Sequence, residues 1–298
     1  MIYVTIVSIT VLLYVLTRLY FLKKEIKRAT RQLNALNKNS TEKKIDIRYF
    51  DRDFEKLAEE INNQIDLTKK AKAEKRMTEN ELKQAISYIS HDIRTPMTSI
   101  LGYIQLLESD EITPEMRKEY TRIIKNGAMR LKVLLDDFFE LSIIEQADYP
   151  VKMEMIKLNH LILEVLLGFY EEFNKRNLEP TINIPDHDII IMADLSAVKR
   201  VIENLVVNAI RHSSGNVTIQ LEKLNTSVQL TISNSVHQLS EQDLDHMFDR
   251  FYKADQTRTG KGTGLGLPIA KSLMEKMNGS LTAELKENQL FMKCEWKY

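Results

Sequence analysis

From Ile2 to Leu22 the chain is apolar almost without interruption, broken by Arg18 and a few small hydroxyl side chains. A helix of that length, rising about 1.5 Å per residue, covers roughly the 30 Å hydrocarbon layer of a bilayer. A signal peptide opens on a basic stretch and closes on a small-residue cleavage site; neither is present. A buried core helix is the other reading of such a run. The flanks favour the bilayer. Arg18 lies near one end, where its long side chain can snorkel to the interface. Lys23, Lys24, Lys27, Arg28 and Arg31 follow, and an excess of cations marks the cytoplasmic side. The sequence therefore predicts a single-pass anchor over residues 1–22 in the cell membrane, N-terminus outside and the remainder cytoplasmic. Almost nothing is then left outside to form an extracellular domain.

Behind the anchor the pattern divides the chain. Residues 23–80 are polar, helix-prone and free of Gly and Pro. Ile26, Leu33 and Leu36 fit one helical stripe and Phe54, Leu57, Ile61 and Ile65 a second, with Asn37–Thr41 as connector. Over residues 81–148 the apolar positions take a near-heptad rhythm: Leu82, Ile86, Ile89 and Ile93, then Ile100, Leu101, Ile104 and Leu107. After a turn at Ser109–Pro114 a second helix carries Met116, Tyr120, Ile123, Leu131, Leu134, Phe138 and Leu141. This is a helical hairpin whose apolar seam is too long for one pair to cover, and dimerisation into a four-helix bundle would cover it. Over residues 149–298, helical stretches at Leu161–Arg176 and Asp194–His212 alternate with strand-like runs at Asp188–Met192, Val217–Glu222, Val228–Ser233, Gly279–Leu285 and Leu290–Trp296. The fold class is multidomain, α then α+β, ending in an α/β sandwich. The 42 basic and 42 acidic side chains cancel, so no whole-molecule field draws the chain to nucleic acid. The single cysteine, Cys294, excludes an internal disulfide and cannot alone build a zinc site.

Three clusters can carry chemistry. In Ser90-His91-Asp92-Ile93-Arg94-Thr95-Pro96, His91 sits just off the apolar stripe with an acid beside it. A lone surface histidine is usually inert. Pro96, however, removes the N–H due to the Asp92 carbonyl, so a kink is expected beside the histidine. A neutral imidazole is a nucleophile when a carboxylate stabilises its second N–H. Asn204, Asn208 and Arg211 recur at spacings of four and three and share a helix face. That is an ordinary pattern for a solvated face, and also a suitable one for Mg²⁺ and phosphate, with amide oxygens for the metal and a guanidinium fork for the anion. Gly260, Gly262, Gly264 and Gly266 fall within seven residues, before a helix that Pro268 can open at its first position. Such a segment is either a flexible hinge or an anion cradle; it is not a P-loop, since the Gly-Lys-Ser/Thr ending is absent.

Together and in this order, from about residue 80 onward, the clusters resemble the membrane-bound sensor histidine kinases of bacterial two-component systems. His91–Pro96 matches their phospho-acceptor motif, Asn204–His212 their asparagine motif, Phe248-Asp249-Arg250-Phe251-Tyr252 their phenylalanine motif and Gly262–Gly266 their second glycine motif. The resemblance implies a dimerising phosphotransfer domain at 81–148 and a Bergerat-type ATPase domain at 149–298. It makes His91 the acceptor of the ATP γ-phosphoryl group and Asp92 its base or orienting acid. Asn208 becomes the Mg²⁺ ligand and Asn204 and Arg211 phosphate contacts, with His212 against adenine. Thr95 completes a D-x-x-T pattern linked to dephosphorylating a response regulator. It makes the 23–80 segment a juxtamembrane spacer or a degenerate HAMP-like pair of helices without the connector glycine. The partners implied are a second copy, a cognate response regulator and, by a looser likeness, a membrane transporter. One motif departs: fourteen residues before Phe248, where Asp-x-Gly-x-Gly belongs, stands Asn234-Ser235-Val236-His237-Gln238. Asn234 can still accept from the adenine amino group, but without charge. A pseudokinase scaffold or phosphatase-only protein is the alternative that this departure favours. A gyrase-like clamp or serine-directed kinase on the same sandwich is disfavoured by His91 and the anchor.

Overall fold

The computed structural model describes residues 2–37, 44, 52–109, 112–237, 239–254 and 262–297. The chain divides into two compact units, Met1–Gln84 and Ala85–Tyr298. In the first, α1 (Ile2–Asn37) is one 36-residue helix. Among the described residues none of its most apolar 18-residue window is buried. The helix does not pause at residue 22 but carries the basic flank with it. The connector residues 38–41 and the side chain of Phe54 lie outside the described residues. α2 (Arg52–Leu107) crosses the boundary between the units without a break near residue 80 and does not end at Pro96.

In the second unit, α2 is followed by α3 (Pro114–Ile144). Thr113 caps α3 by accepting the Met116 N–H at 3.2 Å, and Pro114 occupies the first turn, where its missing N–H costs nothing. Gly127 lets the helices approach closely: a Cβ there would lie 3.0 Å from Ile100 Cγ1 and 3.7 Å from the Pro96 carbonyl oxygen. Tyr103 and Tyr120 pack ring on ring at 5.2 Å.

The α/β layer that follows comprises β1 (Glu154–Lys157), α4 (Leu158–Gly168), α5 (Tyr170–Lys175), β2 (Thr181–Asn183), β3 (Ile190–Ala193), α6 (Leu195–His212), β4 (Val217–Lys223), β5 (Ser227–Ser235), α7 (Glu241–His246), α8 (Gly266–Lys276), β6 (Ser280–Lys286) and β7 (Gln289–Lys297). Five strands pair in the order β2-β4-β5-β7-β6, and β1 pairs with β3 separately. β2 lies parallel to β4, and the other neighbours in the five-stranded sheet are antiparallel. Along β7 the pattern alternates, burying Leu290, Met292, Cys294 and Trp296, as expected of a sheet covered on one face. That face meets Leu158, Ile162 and Val165 of α4, Val198, Val201, Ile202 and Leu205 of α6, and Ile269 and Leu273 of α8. Leu134, Leu141 and Ile144 of α3 join the same core.

Four expectations need correction. The stretch Leu161–Arg176 is two helices, because Gly168 closes α4 and Phe169 leaves helical geometry at φ −100° and ψ 8°. The third strand starts at Ile190, because Asp188 is drawn aside by Lys157 and His160. β1, β2 and α7 were not foreseen; each is short and buries one side chain or none. The helix after the glycines starts at Gly266, so Pro268 sits two residues inside it rather than first, still within the turn whose N–H groups have no helical acceptor.

Ile202 is fully buried. Ile202→Ala should destabilise the α/β layer by about 2–5 kcal/mol. Trp296, the chain's only tryptophan and itself buried, reports the loss as a lower denaturant midpoint in its fluorescence.

Candidate active site

α6 has two jobs on neighbouring flanks. Val198, Val201, Ile202, Leu205, Val206 and Ala209 recur at three and four and face the core, which leaves Asn204, Asn208 and Arg211 together beside that stripe. Asp194 caps the helix, accepting the Ala197 N–H at 3.0 Å.

The glycine segment lies on this polar flank. A Cβ on Gly266 would stand 3.0 Å from Asn204 Oδ1, and one on Gly262 would stand 3.3 Å from Arg211 Nη1. Gly264 has φ +71°, and a Cβ there would meet the Phe251 backbone at 2.8 Å. Phe251 is itself left-handed at φ 64°, a strained geometry for a bulky residue. Its N–H donates to the Gly264 carbonyl at 3.0 Å. The two positive-φ residues therefore clasp each other and hold the phenylalanine and glycine segments in register. Phe248 rests against the core with the Lys271 ammonium 5.0 Å above its ring. Gly260 lies outside the described residues.

Among the described residues, Asn204 Nδ2 is buried without a hydrogen-bond partner, a costly state for an amide. Among the described residues no side chain caps α8 at its glycine-rich start, so its first N–H groups have no capping acceptor there. The protein packed around Arg211, with Arg176 beside it, pushes its guanidinium pKa down, and Asp137 opposes that. Arg176 Nη1 donates to the Arg211 carbonyl at 3.0 Å. Asn234 is buried at the end of β5; its Nδ2 donates to the Ser235 carbonyl at 3.3 Å. His212 is exposed at the C-terminal turn of α6.

His91, Asp92 and Thr95 sit on α2. The His91 side chain is 76% exposed, with Nδ1 3.4 Å from Asp92 Oδ1. Thr95 donates its hydroxyl to the His91 carbonyl at 3.2 Å. The other Asp92 oxygen accepts from Lys253 Nζ at 2.5 Å, which ties the histidine's neighbour to the residue after the phenylalanine motif. Tyr252 donates to Asp243 Oδ1 at 2.5 Å. Asp243 also belongs to the capping box of α7 with Ser240. Sequence reasoning found the three clusters but missed what joins them: Lys253, Arg200 and Asp137. Arg200 donates to Glu140 and to Asp137, and Asp137 Oδ2 accepts the Thr263 hydroxyl at 2.8 Å. The available signal was the acid pairing of α3, which reads in isolation as a solvated face.

Two family models match the chain: the histidine kinase-, DNA gyrase B- and HSP90-like ATPase over residues 193–292, and the His Kinase A phospho-acceptor domain over residues 81–147. The second separates this chain from gyrase-like ATPases that share only the sandwich. It belongs to the sensor histidine kinases. Among relatives, the sensor protein VanSC of Enterococcus gallinarum is 31% identical over 209 residues, covering 69% of this chain and 58% of that protein. The sensor histidine kinase YcbM of Bacillus subtilis is 29% identical, covering 70% and 69%. The chain thus spans a little over half of VanSC and about two thirds of YcbM. The solved structure of the histidine kinase ThkA in complex with the response regulator protein TrrA is 26% identical with a TM-score of 0.62, covering 77% of this chain and 66% of that one. The family places an ATPase domain on the α6–glycine assembly and a phospho-acceptor domain on the α2–α3 hairpin.

Two outcomes follow for this sensor kinase. Gly264→Ala should cost about 1–3 kcal/mol in the same Trp296 unfolding signal, whereas Gly168→Ala, with nothing within 4 Å of its added Cβ, should be neutral or slightly stabilising. Tyr252 is raised from 10.0 to about 12 by its hydrogen bond to Asp243 and by burial. A raised acid favours the folded state fully below the unfolded value and loses that contribution as pH climbs through the folded one. Wild type should therefore lose stability relative to Tyr252→Phe between pH about 10 and about 12.

Proposed function

We propose that this chain is a membrane-anchored kinase that transfers the γ-phosphoryl group of Mg·ATP to His91 and then to an aspartate of a response regulator. The observation that carries the reading is the seating of Gly262 and Gly266 on Arg211 and Asn204, beside an amide and a helix start without partners among the described residues. Those are the donors a polyphosphate needs. Arg211 and the first amides of α8 would hold phosphate oxygens, with Asn204 beside them. Asn208, one turn after Asn204 on the same flank of α6, would offer its oxygen to Mg²⁺ alongside phosphate oxygens. When bound, the cation supplies charge neutralisation between phosphates. With its Nδ2 engaged by the Ser235 carbonyl, Asn234 would turn its Oδ1 to accept from the adenine amino group. His212 and Phe248 would flank the nucleotide, and Gly260, Gly262, Gly264 and Gly266 would frame its phosphates.

At His91, an Nδ1 proton shared with Asp92 leaves the Nε2 lone pair to attack phosphorus. Asp92 stabilises the imidazolium that forms. In the arrangement seen, Lys253 draws on the same carboxylate, so release of Lys253 strengthens the base. Thr95, whose proton is used on the His91 carbonyl, presents oxygen lone pairs that would orient water for dephosphorylating the regulator. Ile86, Leu101, Ile104 and Phe139 are exposed on the hairpin, and a second copy would cover them in a four-helix bundle. α1 would anchor the dimer in the cell membrane, with the catalytic part in the cytoplasm. The regulator has its analogue in TrrA beside ThkA. A transporter partner rests on the looser likeness alone, and no direct contact with nucleic acid is proposed. A pseudokinase or phosphatase-only protein is the second reading, favoured by Asn234 in place of a carboxylate.

With γ-labelled ATP and Mg²⁺ the chain should acquire an acid-labile, base-stable label. His91→Gln should abolish it with nucleotide affinity retained; Asn208→Ala should lose both, by tenfold or more in affinity, roughly 1.4 kcal/mol. Absence of label with intact nucleotide binding would favour the second reading. Asn234→Asp should bind ATP equally well or better by calorimetry, since a carboxylate accepts more strongly, by about 1 kcal/mol. A tenfold loss would place Asn234 elsewhere.

A further inference from the structure

The ATPase layer is fastened to the α2–α3 hairpin by a polar clamp. Arg200 grips Glu140 through Nε at 3.0 and 3.1 Å and through Nη2 at 2.5 Å, and reaches Asp137 Oδ1 at 3.0 Å. Arg250 donates to Glu145 at 2.6 Å, Lys276 to the Gln146 carbonyl at 2.5 Å and Lys253 to Asp92 at 2.5 Å. Most of these contacts join only the outer walls of the two parts. Asp137 goes further. Its second oxygen accepts from Thr263, the residue between Gly262 and Gly264, and the Thr263 hydroxyl in turn accepts the Leu265 N–H at 3.3 Å. Arg211 lies against Gly262, one residue away, and Asp137 contributes to its field. The Asp137 side chain is only 15% exposed.

A carboxylate from the phosphoacceptor hairpin is thus engaged with the segment that the proposed function assigns to nucleotide phosphates. A carboxylate and a phosphate seek the same donors, a hydroxyl, a guanidinium and helix-start amides, and repel each other at close range. We infer that Asp137 is a stand-in anion for the nucleotide phosphates, so that docking of the ATPase layer on α3 and binding of the nucleotide's phosphate chain oppose each other. By linkage the opposition is reciprocal: nucleotide loosens the clamp, and any tilt of α2 against α3 that seats Asp137 more firmly weakens nucleotide binding. Asp137 is a positioning residue in this scheme; it touches the glycine segment and takes no part in phosphoryl transfer.

The inference rests on the ATP reading of the site, and one titration separates the two. Full-length chain in detergent or nanodiscs is titrated with Mg²⁺ and a non-hydrolysable ATP analogue, and separately with adenosine, which has no phosphate. Asp137→Asn keeps the shape and removes the charge. It should tighten the triphosphate about three- to tenfold, roughly 0.6–1.4 kcal/mol, and leave adenosine unchanged. Glu140→Gln removes an equal charge from the same clamp without touching the glycine segment, and should tighten the triphosphate by less than twofold. Equal tightening by both variants would show general loosening of the clamp and overturn the stand-in role. Unchanged or weaker triphosphate binding in Asp137→Asn would overturn it as well. Tightening of adenosine to the same degree would contradict a phosphate-directed effect. If wild type and both variants bind neither ligand, the nucleotide reading of the site fails, and the inference with it.

Discussion

The close seating of the Gly262–Gly266 segment on the polar flank of α6 is the contact on which the rest of the site depends. It exists because two positions lack a Cβ where Arg211 and Asn204 come within 3.0–3.3 Å, and a third accepts a positive φ against Phe251. The core flank of α6 is anchored by side chains at or near zero exposure, so the polar flank has little freedom to retreat. A rigid helix, a segment that must follow it and a strained phenylalanine that latches that segment hold the side chains of this flank in fixed positions. Pre-positioned donors need little reorganisation when charge develops, which is where much of the rate of phosphoryl transfer originates.

The second constraint is electrostatic and joins the two halves of the chemistry. Asp92 and Asp137 stand on consecutive helices of one hairpin, yet each is held by the ATPase layer, the first by Lys253 and the second by Arg200 and Thr263. The base beside His91 and the segment beside the proposed phosphates are therefore engaged by the same docked arrangement. Under the proposed function, both would have to be released for catalysis, and the polar clamp would set how much signal is needed to begin. Its contacts are partly solvated, which keeps each one weak enough to be reversed.

Much of this was legible in the sequence, for identifiable reasons. The apolar run, the heptad hairpin and the three-and-four spacing of α6 are local periodicities, and α1, α2, α3 and α6 follow them. The glycine cluster read as a hinge or an anion cradle, and its close approach to Asn204 and Arg211 emerged only in the fold. What escaped was either too short to have a period, as with β1, β2 and α7, or depended on tertiary pairing. Asp137 and Arg200 are 63 residues apart, and nothing local distinguishes their meeting from two solvated charges. Pro268 misled because a proline is accepted anywhere in a first turn, so it marks the start of a helix only to within a few residues.

The position of the phosphate on the imidazole tests the account most directly. Nδ1 of His91 faces Asp92 at 3.4 Å, and under the proposed function Nε2 would be the nucleophile. Phosphorus and nitrogen NMR of the labelled chain, with peptide mapping at neutral pH, should place the phosphoryl group on Nε2 of His91. A phosphoryl group on Nδ1, or on any other residue, would contradict the roles given to His91 and Asp92.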